Sequence, residues 1–118
     1  MKIKPIIVYV DWLRFFSNKK YIASGVTLFP FICIHKNLRD TIDGLIKVNH
    51  ESIHFEQMKE TFVIGFYLIY AVNFLRNLFR AKPYQAYKTV MFEQEAFDCE
   101  KELKYLESRE KYVWMWRY

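Results

Sequence analysis

At 118 residues the chain can build one hydrophobic core but not two lobes around a deep cleft, so a single domain over residues 1–118 is expected, with any cleft shallow or completed by a partner. Hydrophobic residues make up 53% and only three Gly and three Pro are present, which excludes a disordered or low-complexity chain. The net charge of +5 is scattered, with no run of five or six like charges, and does not form the concentrated basic patch of a nucleic-acid-binding domain.

Residues 5–12 are apolar and β-branched and read as a strand or the start of a helix, followed by a turn through Ser17, Asn18, Lys19 and Lys20. Residues 26–34 are rich in β-branched and aromatic types and read as a strand; Pro30 cannot donate to a ladder, which makes the strand an edge or bulged one. An edge strand could align an extended peptide by backbone pairing, and a core strand bent at its proline is the alternative. His35, next in the chain, has no partner at metal-ligand spacing and reads as a surface residue or one that supports a ligand from behind.

Asp40, Thr41 and Asp43 supply helix-start signals, and Ile42, Leu45, Ile46 and Ile53 recur at helical spacing, which predicts a helix over 41–59. A second helix follows over 60–80, continuous with the first or kinked near Gly65, with Pro83 beyond its end. Its segment 62–75 is nearly all apolar. As a helix it covers about 21 Å against a hydrocarbon core of about 30 Å, so it reads as a buried core helix and not a membrane span; a membrane-surface role remains compatible with it.

A third helix is expected from Tyr84 or Met91 to Arg109. On it Phe92, Ala96, Cys99, Leu103 and Leu106 form one apolar stripe, with Glu93 beside the stripe and Glu95 about 200° away from Glu93. The aromatic tail carries Trp114 and Trp116, which either pack on the domain or anchor a protein partner. Aromatics are 19% of the chain, more than a small core readily buries, and this too points to an interaction surface or an assembly. Cys33 and Cys99 have no Cys-x-x-Cys spacing and read as reduced, buried residues. Charged residues interrupt the segment after Lys2 and Lys4, so no signal peptide is read and a cytoplasmic location is expected.

The passage with a specific chemistry is His50-Glu51-Ser52-Ile53-His54. Histidines four apart on a helix project from one face a turn apart, and both imidazoles can reach a single cation. Glu51 is rotated by about 100°, which lets its carboxylate miss the metal and act on a water beside it. On an ordinary amphipathic helix the same three residues would only be solvated polar groups. Two ligands do not complete a zinc site, and without a third histidine downstream a glutamate is the remaining common option.

Phe92-Glu93-Gln94-Glu95-Ala96-Phe97 supplies that glutamate, and here the sequence resembles the gluzincin metallopeptidases, in which a second helix contributes a glutamate commonly followed at the third position by a small residue. On that resemblance Glu93 is the third ligand, Ala96 the small residue, and Glu95 the competing ligand. Phe97 stands where those families often carry an aspartate that braces a metal-ligating histidine. The order and length also resemble the single-domain minigluzincins, with Gln57 at the glutamine of a longer His-Glu-x-x-His-x-x-Gln pattern. The resemblance covers roughly residues 26–108.

These readings together predict a small α+β zincin-like domain, a short sheet with an edge strand packed on the motif helix and two further helices. The resemblance implies Zn²⁺ held by His50, His54 and Glu93, with Glu51 as the catalytic base in peptide-bond hydrolysis. Tyr67, Tyr70, Tyr84 and Tyr87 are candidate oxyanion donors. From another class comes the alternative of an inactive zincin-fold subunit of a larger assembly, a phage virion for example, docked through its aromatic tail.

Overall fold

The computed structural model describes residues 3–13 and 24–118; the turn expected at residues 17–20 lies outside the described residues. Three strands, β1 (Ile6–Val10), β2 (Gly25–Leu28) and β3 (Phe31–His35), form a mixed sheet in the order β1-β3-β2. β1 runs parallel to β3, with Ile6 opposite Phe31, and β2 runs antiparallel to it, with Gly25 opposite Ile34. Residues 26–34 are therefore not one strand but a hairpin. Phe29 and Pro30 form its turn, because Pro30 lacks the N–H that would continue a ladder. β2 is the edge strand, while β3 is central and buries Ile32, Cys33 and Ile34.

Ile32 and Ile34 point to the same face of β3 and pack on Phe55 of the first helix, α1 (Ile42–Glu60), whose ring also stacks on Phe29 with centroids 4.9 Å apart. Ile32, Ile34 and Phe55 are each at most 1% exposed, and burial of that kind stabilises by about 1.5–3 kcal/mol per residue. α1 begins at Thr41, whose Oγ1 accepts from Gly44 N at 2.9 Å. A Cβ on Gly44 would lie 1.9 Å from the Leu38 carbonyl oxygen, so glycine is what allows α1 to start directly against the 3-10 turn Lys36–Leu38. His35 caps that turn, its Nδ1 accepting from Asn37 N at 3.1 Å, and it does not belong to the group formed by His50, Glu51 and His54.

α1 does not run on into the second helix. The chain reverses through residues 61–63, where Phe62 and Val63 take φ of 56° and 64°, a strained region for bulky side chains. α2 (Ile64–Leu78) leaves at 109° to α1, so the bend lies at 61–63 and not at Gly65. The expectation of a buried core helix also fails. Only Phe66 of α2 is fully buried, because one face packs inward and the opposite face, with Ile64, Leu68 and Val72, is exposed.

The expected third helix is three: α3 (Pro83–Lys88), α4 (Met91–Cys99) and α5 (Tyr105–Ser108), followed by α6 (Val113–Arg117). α4 stops at Cys99 because Asn49 of α1 takes over its end. The Asn49 amide nitrogen lies 3.3, 2.8 and 3.0 Å from the carbonyl oxygens of Cys99, Glu100 and Glu102, acceptors that a continuing helix would have used itself. Of the predicted stripe, Phe92, Ala96 and Cys99 are buried, whereas Leu103, beyond the stop, is 53% exposed. Cys33 and Cys99 are free and buried.

The C-terminal segment is fastened by charge. Arg109 donates through Nη1 and Nη2 to the two oxygens of Glu60 at 2.8 and 3.0 Å, and through Nε to Glu95 Oε2 at 2.6 Å. Trp114 packs on Phe92 and donates from Nε1 to Glu60 at 3.0 Å, while Trp116 stays 58% exposed. All three ionic side chains are buried, so replacing Arg109 by Met strands two carboxylates without their cation. The expected loss is about 3–5 kcal/mol in urea unfolding; a loss below about 1 kcal/mol would mean that the cluster is solvated.

Candidate metal centre

Helix periodicity places His50, Ile53, His54, Gln57 and Met58 on one buried stripe of α1, so the motif histidines point inward against α4. Glu93 sits in the first turn of α4, which is tied to α2 by Met91 N donating to Asn73 Oδ1 at 2.8 Å. Nε2 of His50 and Nε2 of His54 lie 3.1 and 3.0 Å from the same oxygen, Glu93 Oε1. The other Glu93 oxygen accepts from the Tyr70 hydroxyl at 2.8 Å. Among the described residues, His50, Glu51 and His54 form a buried group, with ligand atoms all within 4.8 Å of one another, that could hold a metal ion.

Both imidazoles are fixed from behind. Gln57 donates from Nε2 to the Phe92 carbonyl at 3.1 Å and to Glu95 Oε1 at 2.9 Å. Its Oε1 must then accept from His54 Nδ1, 2.8 Å away. On His50 the corresponding Nδ1 lies 3.0 Å from Glu100 Oε1, a carboxylate that can only accept. With both Nδ1 atoms committed as donors, the two Nε2 atoms are the ones left to ligate a metal ion.

Glu51 lies at the edge of the stripe, beside the two imidazoles. Its Oε1 accepts from Thr27 Oγ1 of β2 at 2.9 Å, its Oε2 lies 3.4 Å from Lys47 Nζ, and the same Oε2 lies 3.8 Å from His50 Nε2. It faces a cavity of about 300 Å³ that is also lined by His54, Glu93, Lys47, Tyr67 and Tyr70. The edge strand borders this cavity through Gly25, Val26 and Thr27.

Burial works against a charged imidazolium at His54, but the Glu93 carboxylate outweighs it and pushes His54 up to about 9. For Glu93 burial likewise opposes the charged form, and His54 and His50 together hold it far below the usual carboxylate range. Burial and the neighbouring Glu93 raise Tyr70, so its phenol stays a donor. A divalent cation at Glu93 Oε1 would take the place of the His54 Nε2 proton, and its uptake would release that proton.

The structure brings together the four residues singled out in the sequence, His50, Glu51, His54 and Glu93. Glu95 lies elsewhere: it is fully buried, receives Gln57, Tyr105 and Arg109, and so supports His54 through Gln57. Phe97 is no brace; its ring meets His50 edge-on with centroids 4.6 Å apart, and Glu100 holds the imidazole instead. Glu100 was missed by the sequence reading, although seven residues from Glu93 places both on one helical face. Of the four tyrosines, Tyr70 and Tyr67 face the cavity with hydroxyls donating to Glu93 and to the Thr27 carbonyl, Tyr87 lines it, and Tyr84 is exposed.

Compared with protein families, curated proteins and solved structures, the chain matches none. The geometry therefore carries the interpretation alone. Replacing Glu100 by Ala frees the His50 ring without touching the metal-facing atoms, and is expected to weaken divalent-metal affinity about 10–100-fold in chelator competition with the circular dichroism unchanged. Unaltered affinity would show that Glu100 does not orient His50.

Proposed function

We propose that the chain is a gluzincin-type zinc peptidase, with His50, His54 and Glu93 as the protein ligands of Zn²⁺. The observation that carries this reading is the meeting of two Nδ1-anchored imidazoles at one oxygen of Glu93, with Glu51 beside them on the cavity side. Two imidazole nitrogens and a carboxylate oxygen are a donor set that zinc takes in catalytic sites. When bound, zinc supplies the polarisation of a carbonyl and of a water that hydrolysis requires.

The chain's own residues do the rest. Glu51, held by Thr27 and adjacent to Lys47, accepts a proton from the attacking water and later delivers it to the leaving amine. Gln57 and Glu100 keep the imidazole rings in register, and Tyr70 fixes the free oxygen of Glu93. β2 pairs with β3 along one edge and has its other edge toward the cavity, where an extended peptide could add as a further strand. A second reading, a catalytically inactive subunit of an assembly such as a phage virion, draws on Met115 and Trp116 of α6, 61% and 58% exposed, as an anchor for a protein partner.

Metal analysis of the purified protein joined to peptide-library cleavage separates the two. The peptidase reading expects about one zinc per chain and cleavage abolished by chelation. Glu51→Gln should keep the zinc and lose at least about 100-fold in kcat, because the amide preserves shape but accepts no proton. Zinc loss in that variant would make Glu51 a ligand, and a native protein without zinc or cleavage would favour the assembly subunit.

A further inference from the structure

The exposed face of α2 is too apolar to be an ordinary solvated helix surface. Ile64, Leu68, Val72, Leu75 and Phe79 fall within about 80° of one another around the helix axis. They are 72%, 64%, 57%, 57% and 91% exposed, and Phe62, in the turn before α2, is 86% exposed. A contiguous apolar stripe of this kind marks a contact site.

Its charge says what it contacts. Between Glu60 and Glu93 the sequence has no Asp or Glu, while Arg76, Arg80, Lys82 and Lys88 all fall in that interval. Lys88 lies over the Phe97 ring, 4.6 Å from its centroid, but Arg76, Arg80 and Lys82 are exposed at the C-terminal end of α2. The two arginines also line a groove of about 700 Å³ with Leu68, Val72 and Phe79, which sets guanidinium groups directly beside apolar side chains.

We infer that α2 docks in the plane of an anionic lipid surface, its stripe inserted at the acyl boundary and Arg76, Arg80 and Lys82 on headgroup phosphates. Among the described residues no single helix is long and apolar enough to cross a membrane, and a helix lying in the interface plane makes a peripheral contact. A second copy fits this face poorly. In an antiparallel two-fold pairing of α2 the cations of each copy would lie beside Phe62 and Ile64 of the other, and the sequence between Glu60 and Glu93 supplies no carboxylate there to neutralise them. Anionic lipid supplies both complements at once, hydrocarbon for the stripe and phosphate for the cations.

Flotation of the full chain with phosphatidylcholine vesicles, with or without phosphatidylglycerol, tests the inference by binding alone, whether or not the protein hydrolyses anything. Binding is expected with phosphatidylglycerol, and at least about tenfold weaker without it or in high salt. The combined substitution Leu68→Ser, Val72→Ser, Leu75→Ser should lose at least about tenfold with helix content unchanged. Arg76→Gln, Arg80→Gln, Lys82→Gln should lose as much on anionic vesicles. Absence of binding to phosphatidylglycerol vesicles at low salt, or binding indifferent to the serine substitutions, overturns the proposal. A dimer in sedimentation velocity that the serine substitutions dissolve, without vesicle binding, assigns the face to a second copy.

Discussion

One oxygen of Glu93 has an imidazole Nε2 on each side, and the packing of the helices around it follows from that meeting. A buried carboxylate is tolerable only when it is fully hydrogen-bonded and faced by positive charge. α1 and α4 must therefore cross where His50, His54 and Glu93 coincide, and α2 must bring Tyr70 to the remaining oxygen. The requirement passes outward as a chain of contacts, from His54 to Gln57, to Glu95, to Arg109, to Glu60. Each polar group is satisfied by the next, and no buried side-chain nitrogen or oxygen among the described residues lacks a partner.

The interruptions of the helices serve the same end. Stopping α4 at Cys99 leaves Glu100 beside His50 Nδ1, and Asn49, one residue before His50, makes that stop possible. The reversal at residues 61–63, with two bulky residues at positive φ, sends α2 across the site at 109°. That strain is offset by the packing of Phe66 on Phe92, stacked with ring centroids 4.5 Å apart. Fold and site are thus coupled through Glu95, which anchors Gln57 behind His54 and also receives Arg109 of the C-terminal segment.

What could be read in the sequence was what depends on near neighbours. The inward pairing of His50 and His54 follows from helical spacing, and the boundaries of α1 from Thr41 and the apolar period. Glu93 was reached by resemblance rather than by physics. Hidden were the features set by distant partners. The end of α4 depends on Asn49, fifty residues from Cys99. The role of Glu95 depends on Arg109 and Gln57, which no spacing rule connects. Pro30 carried the information that the strand is interrupted, but not that both halves would pair as a hairpin. Hydropathy showed that α2 is apolar, and says nothing about which face its neighbours cover.

On the proposed function, this meeting point is a zinc site built from two imidazoles and one carboxylate. X-ray absorption at the zinc edge of the zinc-loaded protein reads the donors directly. Four light donors are expected at about 2.0–2.2 Å, with the multiple scattering of two imidazole rings, falling to one ring when His54 is replaced by Ala. Sulfur donors at about 2.3 Å, or a spectrum that the His54 substitution leaves unchanged, would contradict it.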